Sequence, residues 1–428
     1  MSTALLTDRY ELTMLDAALS DGLAERRAVF EVFARRLPSG RRFGIVAGQG
    51  RLACLLAELR FGPGELAALR ERGVVSEAAL AWLDGRKSDL HVTAYGEGEA
   101  YMPGSPVLTV DGAFGDGLLL ETLVLSVLNH DTAVAGAAAR MVLAAGGRPL
   151  LEMGGRRTHE EAAVAAARAA YVAGFGASSN LEAGRRHGVP TTGTSAHSFT
   201  LAHADEREAF RAQVAAQGPG TTLLVDTYDT EAGIRTAVEV AGTGLGAIRI
   251  DSGDLAQEAV RARRLLDGLG ATGTRLVLTG DLDEHSLADL AGCPADSYGV
   301  GTSVVTGSGA PTAGFVYKLV AVAREVGPDA PLHPVAKRSA GKATVGGRKW
   351  AWRTADGEVL TLSPEGPPAS RPLQLPLVVD GNACAGDDVG PARERCARTL
   401  ADLPEAARRL DPGPPAWLAG VVDADLSP

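Results

Sequence analysis

This chain of 428 residues is poor in cysteine: Cys54, Cys293, Cys384 and Cys396 are far apart and form no CxxC pair. That argues against a disulfide framework or a zinc knuckle and suits a reducing compartment. An excess of positive charge is also missing. Lys+Arg number 42 against 52 Asp+Glu, a net charge of −10, which fits a general nucleic-acid binder poorly, although local basic clusters can still hold phosphates. Long apolar runs are absent too. The longest stretch, around Leu118–Leu128, is broken by Glu121 and Thr122, so no membrane span is expected. The opening MSTALLTDRYELTM has no basic start ahead of an apolar core, and no signal peptide is expected. These absences leave a globular, cytoplasmic protein without a nucleic-acid or membrane partner. Glycine, by contrast, is abundant at 53 residues, above the usual ~7%. Tight turns, close backbone approach to a ligand and GC-rich coding bias all contribute to such a count.

At roughly 100–200 residues per domain, the length predicts two or three domains. Residues 1–117 read as mixed α and β. A helix is expected over Asp8–Ser20, and strands over Ala28–Ala34 and Phe43–Ala47, joined as a hairpin by Pro-Ser-Gly. Three short helices and the strands of His91–Val110 follow. Residues 118–325 begin with a long Ala/Leu helix and then repeat a strand–polar turn–helix unit. Val189–Thr192 runs into GTSAHS, Leu223–Val225 into DTYDT, Ala247–Ile250 into DSGD, Leu276–Leu278 into TGDLDE and Ser297–Val300 into GTS. Spacings of about 20–30 residues suit β/α units, and so many in succession predict a parallel sheet with barrel-like closure. Residues 326–428 lose this rhythm. The string KRSAGKATVGGRKWAWR reads as a basic loop and strand pair, and a helix is expected over Pro391–Leu403.

In such barrels ligands sit at the carboxyl ends of the strands, where every polar cluster of this chain falls. His197 suits a nucleophile or general base, or an ordinary hydrogen-bonded loop histidine. Asp226, Asp229, Asp251, Asp254, Asp281 and Asp283 form a carboxylate-rich rim for Mg²⁺, a hard cation that bridges carboxylate and phosphate oxygens. Asp254 and Asp283 read better as helix caps. Gly299-Val-Gly-Thr302 suits a phosphate cradle or a plain glycine turn. Arg156 and Arg157 suit a carboxylate or phosphate clamp. Arg249, two residues before Asp251, shares its strand face and needs an anionic partner. Together these features suggest phosphoryl or phosphoribosyl chemistry on an anionic substrate.

The strings LLTDRYELTM, FEVFARRLPSG, ARMVLAAGGRPLLEMGGRR, GTSAHSF, LLVDTYDT, IRIDSGDL, TGDLDE, YGVGTSVVT, VYKLV and KRSAGKATVGGRK occur in this order. With them the chain resembles the nicotinate phosphoribosyltransferases, which are type II phosphoribosyltransferases, over nearly its whole length. The resemblance implies an irregular, TIM-like β/α barrel plus an α/β sandwich domain built from the N- and C-terminal parts. It implies transfer of phosphoribosyl from phosphoribosyl pyrophosphate (PRPP) to nicotinate, coupled to ATP hydrolysis through a phosphohistidine at His197, in a homodimer with shared sites. Mg²⁺, ribose and pyrophosphate are then expected around Asp226, Asp229, Asp251 and Asp281, and the 5′-phosphate at Gly280, Gly301 and Thr302. Arg156 and Arg249 are expected near nicotinate, with Tyr10 reaching the ring from the neighbouring subunit. Met153 stands where the family's usual stacking Phe is found, and its thioether can still contact an aromatic face. Ser179 stands where nicotinamide-using relatives carry Asp, which favours the acid. Nicotinamide or quinolinate as the base, and a non-catalytic ligand sensor, are the competing readings.

Overall fold

A computed structural model describes residues 2–327, 329–339, 344–384, 388–417 and 419–421. Two compact units divide the chain. One comprises Met1–Ala133, Thr312–Ala407 and Asp411–Pro428, and the other Val134–Pro311 and Arg408–Leu410. The divisions expected at 117/118 and 325/326 thus stand beside observed ones at 133/134 and 311/312. The long helix Glu121–Ala144 runs across the first of these, and strand Phe315–Val326 belongs wholly to the first unit. No helix among the described residues is long and apolar enough to cross a membrane. Residues 340–343 of the expected basic loop lie outside the described residues.

The first unit is organised by a seven-stranded antiparallel sheet. Its order is Leu332–Pro334, Phe315–Val326, Arg26–Ala34, Leu108–Ala113, His91–Tyr95, Gln374–Val379 and Asn382–Ala383. The expected hairpin is not formed. Arg26–Ala34 pairs with Phe315–Val326 on one side and Leu108–Ala113 on the other, while Gly44–Ile45 pairs with Ala100–Tyr101. The run from Ala28 to Val32 is buried at every position, as befits a strand covered on both faces and flanked on both edges. A side chain at Gly44 would meet the Tyr101 ring at 2.1 Å, so glycine is what lets the short second pair close.

The second unit holds a six-stranded, wholly parallel sheet. Its order is Ala177–Ser178, Leu150–Glu152, Ser297–Val300, Arg275–Leu278, Ala247–Ile250 and Thr222–Leu224. This order is cyclic in the chain: the last strand, Ser297–Val300, returns to the first, Leu150–Glu152. The strand expected over Val189–Thr192 shrinks to a single bridge, Thr191 to Ser178. On the side of Ala177–Ser178, the Pro190 carbonyl accepts from the Ser178 N–H at 2.9 Å and the Thr192 N–H donates to the Ser178 carbonyl at 3.0 Å, whereas toward Thr222–Leu224 the residues Thr191, Thr192 and Gly193 bring little apolar surface to bury. Among the described residues, no backbone ladder therefore joins this segment to Thr222–Leu224, and the expected closure is not completed by strand pairing.

Candidate functional site

The open seam of the parallel sheet is crossed by side chains. His197 begins the short helix His197–Leu201. Its Nε2 lies 3.1 Å from Asp226 Oδ1, which follows Thr222–Leu224 across the seam. The Asp226 side chain is only 1% exposed. Its Oδ2 accepts hydrogen bonds from the Asp251 backbone N–H and the Ser252 hydroxyl, both at 2.7 Å. A buried carboxylate needs such partners, and these lock Asp226 between the histidine and the next strand end.

Arg249 bridges the same seam. Nε donates to Thr279 Oγ1 at 2.9 Å, and Nη1 to Thr194 Oγ1 at 3.0 Å and to the Ser195 carbonyl at 3.3 Å. Nη2 lies 3.3 Å from Asp251 Oδ1. The expected Arg249–Asp251 coupling is present, but both edges of the guanidinium fork already have a member bound to protein. A ligand carboxylate would find only Nη2 here, not a two-pronged clamp.

Thr279, unremarked in the sequence, sits at the centre of this network. It is 3% exposed and its hydroxyl reaches Asp251 Oδ1. It directly follows the apolar strand Arg275–Leu278, so its strand-end position was the available signal. Next to it, Gly280 adopts φ +113°, and a Cβ there would sit 2.5 Å from the Asp251 carbonyl oxygen. Asp281 follows at φ 45°, exposed. On the neighbouring strand, Gly299 leaves room for Met153 Sδ and the Thr279 methyl, 2.8 and 2.6 Å from where a Cβ would lie. Gly154 comes close enough to the Gly301 carbonyl that a Cβ would sit 2.7 Å away. Contacts thus run unbroken from His197 through Asp226, Asp251, Arg249 and Thr279 to Gly299 and Met153.

The other expected residues stand outside this network. Arg156 is exposed, and its guanidinium has no partner among the described residues. Ser179 is exposed, and its N–H donates to the Glu152 carbonyl at 2.8 Å. Beneath it, the Glu152 carboxyl is buried and pushed above the usual carboxylate range by burial, although Ser178 and the Gly154 N–H bond to it. Thr302 is exposed at the start of a four-residue helical turn. Asp229 caps helix Thr230–Ala241 through the Ala232 N–H. Asp254 and Asp283 are caps, as expected. Tyr10 lies in the first unit, on helix Arg9–Ser20, 44% exposed. Its hydroxyl is pushed up to about 12 by burial and by the charges of Glu121 and Glu11.

A second residue outside the sequence reading is Glu206. Burial, then the charges of Asp226 and Asp229, push its carboxyl up to about 7, and its Oε1 is buried without a partner among the described residues. No sequence pattern distinguished it from the other acidic residues of helix Glu206–Gln217.

Among the described residues no three His, Cys, Asp or Glu side chains are grouped to hold a metal by themselves. The donor set still suits Mg²⁺, which keeps waters and shares carboxylate with substrate phosphate. Asp281 is exposed and without a partner among the described residues, and Asp229 keeps Oδ2 free of the cap bond. Asp226, with its side chain sealed and three bonds already accepted, is the poorest ligand of the three that were expected.

Residues 5–129 match the family model for the nicotinate phosphoribosyltransferase (NAPRTase) N-terminal domain. The chain is 56% identical to nicotinate phosphoribosyltransferase pncB1 of Mycobacterium tuberculosis, over 96% of this chain and 94% of that protein. It is 36% identical to the Bacillus subtilis nicotinate phosphoribosyltransferase, over 82% and 73% of the two chains. The crystal structure of human nicotinic acid phosphoribosyltransferase superposes with a TM-score of 0.81 at 27% identity, covering 97% of each chain.

Proposed function

The chain belongs to the nicotinate phosphoribosyltransferase family, and on that premise we propose that it joins nicotinate to PRPP, giving nicotinate mononucleotide and pyrophosphate, the first step of NAD salvage from nicotinate. The pyridine nitrogen forms the bond to C1′ as the bond from C1′ to the pyrophosphate oxygen breaks. The observation that supports this reading is the unbroken contact network at the strand ends, which sets a histidine–carboxylate pair and an arginine beside Met153 and the glycine turns. Nicotinate is the preferred base because the unpartnered Arg156 and the Nη2 edge of Arg249 favour a carboxylate, while Ser179 brings no opposing charge. Met153 faces the ring in place of a stacking Phe, and Gly280, Gly301 and Thr302 receive the 5′-phosphate. Asp281 and Asp229 would hold Mg²⁺. Bound there, Mg²⁺ would offset the charge of the departing pyrophosphate. A turnover assay with PRPP, ATP, Mg²⁺ and a panel of pyridine carboxylates and amides tests the reading. Nicotinate should lead, and equal turnover of nicotinamide would overturn it.

The finer scheme couples this transfer to ATP. Asp226 is acceptor-only when ionised, so the proton of the His197 ring resides on Nε2 and the lone pair on Nδ1. Nδ1 takes the γ-phosphoryl of ATP as the bond to ADP breaks, and water later releases phosphate. The added charge of about −1.5 to −2 orders neighbouring loops around PRPP. The four free cysteines fit a cytoplasmic enzyme. A homodimer, with Tyr10 lent to the neighbouring site, completes the proposal.

A further inference from the structure

We infer that Thr279 is a positioning residue for the base pocket: its hydroxyl sets the Arg249 guanidinium against Asp251 and thereby fixes the direction of the charge offered to the nicotinate carboxylate. Three contacts leave the side chain no freedom. The hydroxyl accepts from Arg249 Nε at 2.9 Å. Having spent a lone pair there, it has one proton to give, and the nearest acceptor is Asp251 Oδ1. The alternative, the Ile250 carbonyl, is at 3.5 Å and already accepts the Thr279 N–H at 2.9 Å. The methyl packs at Gly299, where Met153 also lies. A β-branched side chain has few χ1 choices, and here methyl and hydroxyl agree on one.

The result is a closed ring: Arg249 to Thr279, Thr279 to Asp251, Asp251 to Arg249. With Nε held by Thr279 and Nη1 held by Thr194 and Ser195, Nη2, which faces Asp251 Oδ1 at 3.3 Å, still has a second N–H to give a ligand. Thr279 therefore selects which edge of Arg249 faces the base. Its methyl meanwhile touches the floor on which Met153 rests.

Two substitutions separate the hydroxyl from the methyl. Thr279→Val keeps the methyl and the shape but removes both hydrogen bonds, and Thr279→Ser keeps the hydroxyl and loses the methyl. With Val we expect the KM for nicotinate to rise about tenfold, the scale of one hydrogen bond to a charged group. The Ki of nicotinamide as a competitor should change much less, so the preference for the acid falls. Ser should stay within about twofold of the unmodified enzyme in both constants, since the charged hydrogen bonds survive. Thr279→Ala carries the same expectation as Val and avoids placing a methyl against Asp251. An unchanged acid-to-amide preference in Val and Ala would overturn the inference. So would a Ser variant as impaired as Val, which would assign the role to the methyl. The inference rests on the base-transfer reading above, which the turnover of the unmodified enzyme tests separately.

Discussion

His197 has two ring nitrogens with different duties. Nε2 is engaged by a buried, thrice-bonded Asp226, and Nδ1 has no partner among the described residues. A histidine held this way has a fixed tautomer and a free lone pair, which suits a phosphoryl acceptor better than a residue that only binds. His197→Ala should therefore lose ATP hydrolysis and ATP stimulation. Slow transfer at high PRPP should remain, because breaking the C1′ bond depends on departure of pyrophosphate and not on the histidine. Acid-labile, base-stable ³²P labelling from γ-labelled ATP, run beside both rates, checks this. Labelling that survives in the variant would move the acceptor elsewhere. At this scale the strand-end rule flagged most of the network, but it missed Thr279 and Glu206. Both matter through neighbours contributed by other strand ends: Thr279 through Arg249 and Asp251, Glu206 through Asp226 and Asp229.

Helix starts and strand ends coincide in this fold, so one aspartate can serve as cap or as ligand. Asp254 and Asp283 bond to the N–H groups of their own first turns, and that local pattern was legible in the sequence. Asp229 is also a cap, although it was expected as a Mg²⁺ ligand. The two duties are separable, because Asn caps about as well as Asp while Ala loses about 1 kcal/mol. Asp229→Asn should melt with the unmodified protein and need several-fold more Mg²⁺ for half-maximal rate. If the Mg²⁺ requirement does not move, Asp229 is a cap alone. The strands Ala247–Ile250 and Ser297–Val300 fall where their apolar runs placed them. Val189–Thr192 does not: its backbone bonds run to Ser178, and its polar residues Thr191 and Thr192 give it little to bury against Thr222–Leu224.

At the scale of the molecule, the two ends of the chain meet in one sheet: Arg26–Ala34 pairs with Phe315–Val326, and His91–Tyr95 with Gln374–Val379. Tyr10 lies in that unit, near the start of the chain. If it serves a neighbouring subunit, a mixed dimer of Tyr10→Ala and His197→Ala chains should regain one working site, formed from the intact residue of each. Activity no higher than that of the two parents, with mixed dimers demonstrated by differential tags, would remove Tyr10 from the partner's site. The sequence by itself determined the α/β rhythm, most strand and helix positions, the caps and the strand-end carboxylates, because periodicity and capping act within a few residues. Only the tertiary structure decided which strands flank Arg26–Ala34, where the parallel sheet stays open, and that Arg249 is largely bound to protein. It also decided that Thr279 joins the arginine to the carboxylate. These are contacts between residues 28 or more positions apart, such as Thr279 and Asp251. Their geometry comes from packing several strands together, and no local pattern encodes it.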